Sequence, residues 1–377
     1  MKAQRIRAMA RKEFLHVLRD PRSLGMAIAM PMVLLLLFGY ALTLDVDRVP
    51  LTVWDQSETA ESRQLISLFA GSRYFSLRSH VGNYREVERA IDHREALMAL
   101  IIPRDFAGKV GSGRVAAVQL IVDGSDSNTA TIAIGYATAV AKGYAEEVSL
   151  HEVRRLGGPV LQTPLELRPR VWFNEEMQSR NYIIPGLIAV LMMIIAALLT
   201  SLTVAREWER GTMEQLISTP VKGFELILGK LAPYFAVGMV DVVLAVLMGE
   251  FLFRVPLRGS VALLFTQTAI FLVGALGMGM VISIVAKNQL VANQLAMVLT
   301  FLPAFILSGL IYAIGNMPPV VRLITYFVPA RYLVTLVKGI YMKGVGVRIL
   351  IGEGALLVIF ATAMLILANA RFKKKLV

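Results

Sequence analysis

There is no cysteine among these 377 residues. Disulfides, thiolate nucleophiles and cysteine-based metal sites are therefore excluded. Histidine is scarce as well, four in the whole chain, and His80, His93 and His151 show no ligand-like spacing. Charge is thin: Asp, Glu, Lys and Arg make up 18%, against about 25% in soluble domains. No Gly-x-Ser-x-Gly elbow occurs. A P-loop needs Gly-x-x-x-x-Gly-Lys-Ser/Thr. The nearest approach, Gly223 to Gly229-Lys230, has five intervening residues and places Leu231 where a hydroxyl must hold magnesium. What the chain has in excess is apolar surface. Hydrophobic residues make up 56% and the mean hydropathy is +0.62, where about 45–50% is usual for soluble proteins. A disordered chain, a fibrous repeat and a disulfide scaffold are all ruled out by this composition.

The net charge of +12 invites a nucleic-acid reading, so its placement matters. Residues 45–180 hold 16 Lys and Arg against 18 Asp and Glu, a net of −2, which leaves +14 for the rest. Much of that excess flanks apolar runs: Lys2, Arg5, Arg7, Arg11, Lys12, Arg19 and Arg22 at the start, Arg371, Lys373, Lys374 and Lys375 at the end. Basic residues beside apolar spans hold those flanks in the cytoplasm and attract anionic lipid. No aromatic–basic interleaving supports a nucleic-acid partner.

A bilayer core of ~30 Å needs about 20 apolar residues as helix. Six stretches qualify: 25–44, 182–204, 231–253, 261–286, 290–312 and 349–370. An even number places both termini on one side, and both are basic, so that side is cytoplasmic. The expected fold is an α-helical polytopic membrane protein with six transmembrane helices. Segment 1–22 is a basic amphipathic helix on the cytoplasmic surface, with Ile6, Ala10, Phe14, Val17 and Leu18 on one face. Asp20-Pro21 ends it before the first span, which is read as an uncleaved anchor because its apolar run exceeds the roughly 7–15 residues of a signal-peptide core. The loop 205–230 is then cytoplasmic, and 371–377 is a basic cytoplasmic tail. Spans four and five form a tight hairpin through Ala286-Lys287-Asn288-Gln289. Segment 313–348 is external, read as interfacial or re-entrant helices, with a seventh membrane segment within it as the other reading.

Residues 45–180 alternate strand and helix patterns. Strands are expected at 49–54, 74–78, 96–102 and 117–122, with helices at 58–70, 84–91 and 127–153. That alternation argues an α/β extracytoplasmic domain with a mainly parallel sheet, inserted between the first two spans. Asp123-Gly124-Ser125-Asp126 begins like a calcium loop but departs from the pattern. It reads as a strand-to-helix turn with Ser125 or Asp126 capping the long helix.

The loop after span two carries the sharpest local signal, in Ala205-Arg-Glu-Trp-Glu-Arg-Gly-Thr-Met-Glu-Gln-Leu-Ile-Ser-Thr-Pro-Val221. Gly211 allows a sharp turn. Thr212 and Gln215 are spaced as a capping box that starts a helix at Met213, and Pro220 ends it at Thr219. The helix has barely two turns, with Met213, Leu216 and Ile217 on one stripe, and one so short persists only when packed against something. Glu207, Glu209 and Glu214 beside Arg206 and Arg210 give it a mixed-charge rim. On these residues alone it reads equally as a docking element or as a solvated juxtamembrane turn.

The run Glu207-Trp-Glu-Arg-Gly-Thr-Met-Glu-Gln-Leu-Ile-Ser-Thr-Pro-Val221 resembles the signature of ABC-2 type export permeases, the membrane subunits of ABC transporters. Arg11-Lys-Glu-Phe-Leu-His-Val-Leu-Arg-Asp-Pro-Arg22 resembles that family's cytoplasmic connecting helix. Phe301-Leu-Pro-Ala-Phe-Ile-Leu-Ser-Gly309, Met317-Pro318 and Phe327-Val-Pro-Ala-Arg331 through Lys338-Gly339 resemble its fifth span and following external helices. Ala313 stands where many members carry proline. The resemblance implies an ATP-driven exporter of drugs, lipid-like or glycan-bearing molecules, or ions. It implies that Glu207, Glu209, Arg210, Gly211, Thr212, Met213, Glu214, Gln215, Leu216, Thr219 and Pro220 form the coupling helix region that docks on an ATP-binding subunit. No cofactor is expected on this chain, since ATP and magnesium belong to that partner. The other implied partners are a second copy or a sister permease, and a periplasmic adaptor (membrane fusion) protein. The implied location is the bacterial inner membrane.

Two acids interrupt span three, Asp241 and Glu250. A charge at mid-membrane costs roughly 2.5–3.5 kcal/mol on insertion scales. They are either candidate translocation-path residues or polar contacts within the helix bundle. An ion-coupled secondary transporter using these acids is the alternative function, and it leaves the docking-like loop without a role. A membrane enzyme or sensor lacks a nucleophile–base or metal constellation. Gly274, Gly277 and Gly279 in span four offer small residues for close helix packing.

Overall fold

The computed structural model describes residues 3–42, 47–155, 172–174 and 178–372, apart from the side chains of Arg22, Ser23, Asn128, Ile217 and residues 151–155. The chain divides into two compact units, 1–43 with 171–377, and 44–170. The chain opens with α1 (Ala3–Leu18) and α2 (Pro21–Ala41).

The second unit follows: β1 (Val49–Asp55), α3 (Ala60–Gly71), β2 (Phe75–His80), α4 (Tyr84–Asp92), β3 (Met98–Ile102), α5 (Phe106–Gly111), β4 (Gln119–Val122) and α6 (Ser127–Arg155). The sheet order is β2-β1-β3-β4. β1 pairs parallel with β2 and with β3, and β4 closes the edge antiparallel to β3. The step from β1 to β2 runs one way across the sheet, and the step from β2 to β3 runs back. Right-handed crossovers therefore put α3 and α4 on opposite faces. On one face Leu51, Val53, Met98 and Leu100 form a core with Leu65, Phe69, Ala133 and Ala137. Tyr144 of α6 donates its hydroxyl to the Glu61 carbonyl at 3.2 Å. At the start of α6, Asp126 supplies the cap, accepting from the Thr129 amide at 3.4 Å. Asp123 instead accepts from the Ser125 amide at 2.9 Å. That donation, with the Ser125 hydroxyl contributing most, holds the exposed Asp123 carboxyl below its usual range.

The first unit resumes with α7 (Ser179–Ser201), α8 (Thr203–Glu209), α9 (Thr212–Ser218), α10 (Gly223–Leu247), α11 (Val261–Ala286), α12 (Gln289–Ala296), α13 (Leu302–Leu307), α14 (Pro319–Thr325), α15 (Pro329–Lys338) and α16 (Val347–Arg371). Single π-helical stretches extend α10, join α12 to α13, and follow α15. Among the described residues six helical segments are long and apolar enough to cross a membrane, at 24–41, 179–209, 223–252, 261–286, 289–307 and 347–371. The pair Pro319–Thr325 and Pro329–Lys343 bends by 85° and makes a seventh if read as one broken span.

α7 is apolar on every side, and every residue from Ile183 to Ala197 is buried, as expected of a helix surrounded by others. α2, α10, α11, α12, α13 and α15 pack around it, while α16 packs on α11. The outward faces of α2, α12 and α16 leave Met26, Leu37, Leu290, Ile351 and Ile359 exposed, the pattern of a lipid-facing surface. The three glycines of α11 divide between two neighbours and do not form one stripe. Gly274 and Gly277 face Phe360 and Met364 of α16, and Gly279 lies against Thr200 and Ala197 of α7. At Gly279 a Cβ would collide with the Ala197 carbonyl. Thr200 uses that closeness to donate to the Leu276 carbonyl at 2.8 Å.

Candidate functional site

The segment from α8 to the start of α10 is fixed by what lies on either side of it. α8 continues α7 after a small break at Leu202. Its first amides, of Val204 and Ala205, both donate to the Ser283 hydroxyl of α11 at 2.9 Å. This satisfies two donors that an interrupted helix would leave orphaned. At its other end Lys287, in the α11–α12 turn, places its ammonium 5.0 Å from the Trp208 ring centre. Glu209 accepts from the Gln289 amide at 2.8 Å and from the Gln289 side chain.

Gly211 then adopts φ +69°, a left-handed turn that residues with a Cβ reach only at a cost. The helix α9 begins at Thr212. The spacing-based expectation of a Thr212–Gln215 capping box is corrected here. Gly211 occupies the cap position with no side-chain cap bond, and the Thr212 hydroxyl points back to the Glu207 carbonyl at 3.4 Å. The reversal at Gly211 comes one residue early, so Thr212 is already inside the helix. Thr219 is extended and ends α9 ahead of Pro220, its hydroxyl donating to the Leu216 carbonyl at 2.6 Å. Met213 is 1% exposed and Leu216 is half-buried against the same core. The side chain of Ile217 lies outside the described residues. Glu209, Arg210, Gly211, Thr212, Glu214, Gln215 and Pro220 are exposed.

Glu207 does not share that exposed rim. It turns inward to Lys230 of α10, with Oε1 to Nζ at 2.8 Å. Lys230 is 1% exposed and also donates to Glu13 of α1 at 2.9 Å. Lys12 lies 3.7 Å from Glu207 and 4.0 Å from Glu13. Two lysines and two glutamates thus form a neutral cluster where α1, α8 and α10 meet. Buried charge is tolerated only when paired and hydrogen-bonded, and the second oxygen of Glu207 has no hydrogen-bond partner among the described residues. At the far end of the loop Arg5 donates to the Pro220 carbonyl at 2.6 Å and lies 3.7 Å from the buried Glu225. α1 therefore holds both ends of the loop, Lys12 near α8 and Arg5 near α10.

Sequence reasoning missed Glu13 and Lys230. The apolar face expected for α1 contains Phe14 and Leu18, which are exposed, whereas the face turned to α10 is Met9 and Glu13. A signal existed. Lys230 sits at the head of a long apolar run, and Glu13 shares a helical face with Ile6 and Met9. Of the two acids in span three, Asp241 is fully buried, and neither of its oxygens has a hydrogen-bond partner among the described residues. Glu250 lies in the π-helical stretch Met248–Leu252 and is exposed. The structure does not bring these two together with the loop.

Comparison with known proteins adds an independent line. Residues 21–369 match the family described as ABC-2 family transporter protein. The chain is 36% identical over 344 residues to the probable multidrug ABC transporter permease YbhS of Escherichia coli K12, covering 90% of this chain and 89% of that one. It is 30% identical over 372 residues to the probable multidrug ABC transporter permease YbhR of the same strain, covering 98% and 99%. With the inner membrane transport permease YhhJ, also of that strain, it shares 26% over 331 residues, covering 86% and 85%.

Proposed function

This chain belongs to the ABC-2 family of transporter proteins, and from that membership we propose that it is the membrane subunit of an ATP-driven exporter of drug-like or lipid-like molecules. The observation that carries the reading is the braced loop. A helix of seven residues, Thr212–Ser218, is too short to persist alone in water. Here it is pinned from within by Met213 while Arg210, Thr212, Glu214 and Gln215 face outward. Those outward residues dock on a separate ATP-binding subunit, which supplies ATP and magnesium. Closure of that subunit pair pushes α9. The push passes through Glu207 and Lys230 into α1 and α10, tilting the spans in alternating access.

Two permeases, identical or sister chains, pair with two ATP-binding subunits. The complex works in the bacterial inner membrane with both termini cytoplasmic, the α/β unit outside, and a periplasmic adaptor joining there. The names of YbhS and YbhR support a multidrug cargo. The ion-coupled alternative is not favoured by the family, and the exposed Glu250 and the enclosed Asp241 do not supply it with a paired ion path. The test is a photo-crosslinker placed at Glu214 in the full chain in native membranes. Capture of an ATP-binding subunit is expected, and labelling confined to lipid or to other membrane proteins overturns the reading.

A further inference from the structure

Two cavities meet beside the loop. The first, of about 350 Å³, lies among α1, α2, α7 and α10, with largely apolar walls that include Leu24, Met30, Ile195, Leu199 and Val237. The second, of about 470 Å³, is charged: Lys12, Arg206, Arg210 and Lys230 line it with Glu13 and Glu207. They share His16, Thr203, Arg206 and Tyr234, so one chamber leads into the other. Both volumes fall in the range of about 300–1,000 Å³ typical of small-molecule sites. The apolar chamber is at the small end, which suits a single apolar body better than a two-chain lipid.

The charges at the junction are unequal. Glu13 and Glu207 are both committed to Lys230, at 2.9 and 2.8 Å. Asp20, on the rim of the apolar chamber, has interactions of its own. Arg206 is half-buried at the neck, and its side chain donates to the Gln289 amide oxygen at 3.4 Å. No carboxylate lies within 4.0 Å of it among the described residues. A guanidinium stays charged and makes its strongest hydrogen bonds to anionic oxygens. An uncompensated guanidinium at the mouth of an apolar chamber is complementary to a molecule with an acidic head and an apolar body.

We propose that this two-part cavity binds an amphiphilic anion, its carboxylate, sulfate or phosphate head at Arg206 and its body against Leu199 and Val237, and that cargo enters the transporter here. The inference rests on the exporter reading and adds to it a substrate class and an entry site.

The test uses the purified full-length permease, without any ATP-binding subunit, in nanodiscs of zwitterionic lipid. A dansyl-labelled medium-chain fatty acid is titrated in and then displaced. Dodecanoate is expected to displace it, and dodecyltrimethylammonium, with the same chain and opposite charge, is not. Arg206→Gln is expected to weaken probe binding by about tenfold. Ala27→Trp, which fills the apolar chamber from α2, is expected to abolish it. Equal displacement by the cationic amphiphile, or wild-type binding by both variants, overturns the proposal. Displacement by phosphatidylglycerol added to the nanodisc identifies a resident membrane lipid as the occupant and overturns the cargo assignment. The exporter reading is scored separately, by capture of an ATP-binding subunit. Capture without probe binding defeats the cavity proposal alone, and probe binding without capture defeats the exporter reading alone.

Discussion

Lys230 shows how one residue can be visible in a sequence and still be given no role. Its place after Gly229 invites comparison with a phosphate-binding loop, and the failure of that comparison leaves it without a role. In the structure its ammonium is buried between Glu13 and Glu207, which are 217 and 23 positions away in the chain, as the numbering in the sequence shows. Removing one partner of a buried ion pair costs about 3–5 kcal/mol, because the remaining charge is left without compensation. Lys230→Met is expected to lower the thermal unfolding midpoint of the purified permease clearly. Adding Glu13→Gln to that variant should recover part of the loss, since one of the two stranded carboxylates is then neutral. A midpoint unchanged in Lys230→Met would show that the cluster contributes nothing to holding α1 on α10.

At the scale of elements, local patterns read well and pairings between distant elements did not. Apolar length gives the membrane-crossing helices, because the bilayer sets a physical minimum that few other segments meet. Alternation gives β1 to β3 and their helices, although β4 joins antiparallel at the edge, an arrangement that strand spacing does not encode. The turn into α9 was legible through Gly211, but its capping was not, since Thr212 suits a cap equally well by residue type. Gly211→Val forces a β-branched residue into a left-handed conformation, a cost of about 1–2 kcal/mol. It is expected to reduce co-purification of the ATP-binding subunit, whereas Gly211→Asn, better suited to that conformation, retains most of it. The contact of α11 with α7 depends in the same way on a missing side chain. Gly279→Leu must part the two helices, and overpacking of this kind costs about 1–3 kcal/mol or more. The expected result is a lower yield of monodisperse protein in detergent. Gly25→Leu, where no atom lies within 4 Å of an added Cβ, serves as the unaffected control.

For the whole molecule the decisive question is which side of the membrane each part faces, and the answer depends on charge placement. In the proposed orientation the basic residues flanking the first and last spans hold both ends on the cytoplasmic side, as the positive-inside rule expects. The long segment 45–180 is exempt from that rule because segments of its length cross regardless of charge. Its near-neutral balance of −2 against +14 elsewhere thus says little about its side, and the even number of spans carries the argument. The absence of native cysteine makes this directly measurable, because a single introduced thiol is the only one in the chain. Glu88→Cys, at an exposed position on α4, is expected to react with a membrane-impermeant maleimide in intact spheroplasts. Glu214→Cys, equally exposed on α9, should react only after permeabilisation. Labelling of both from outside would place α9 away from any cytoplasmic ATPase. Protection of both would instead require an even number of crossings between them, and the bent pair at 319–343 could not supply the extra one, since that pair lies beyond both positions in the chain.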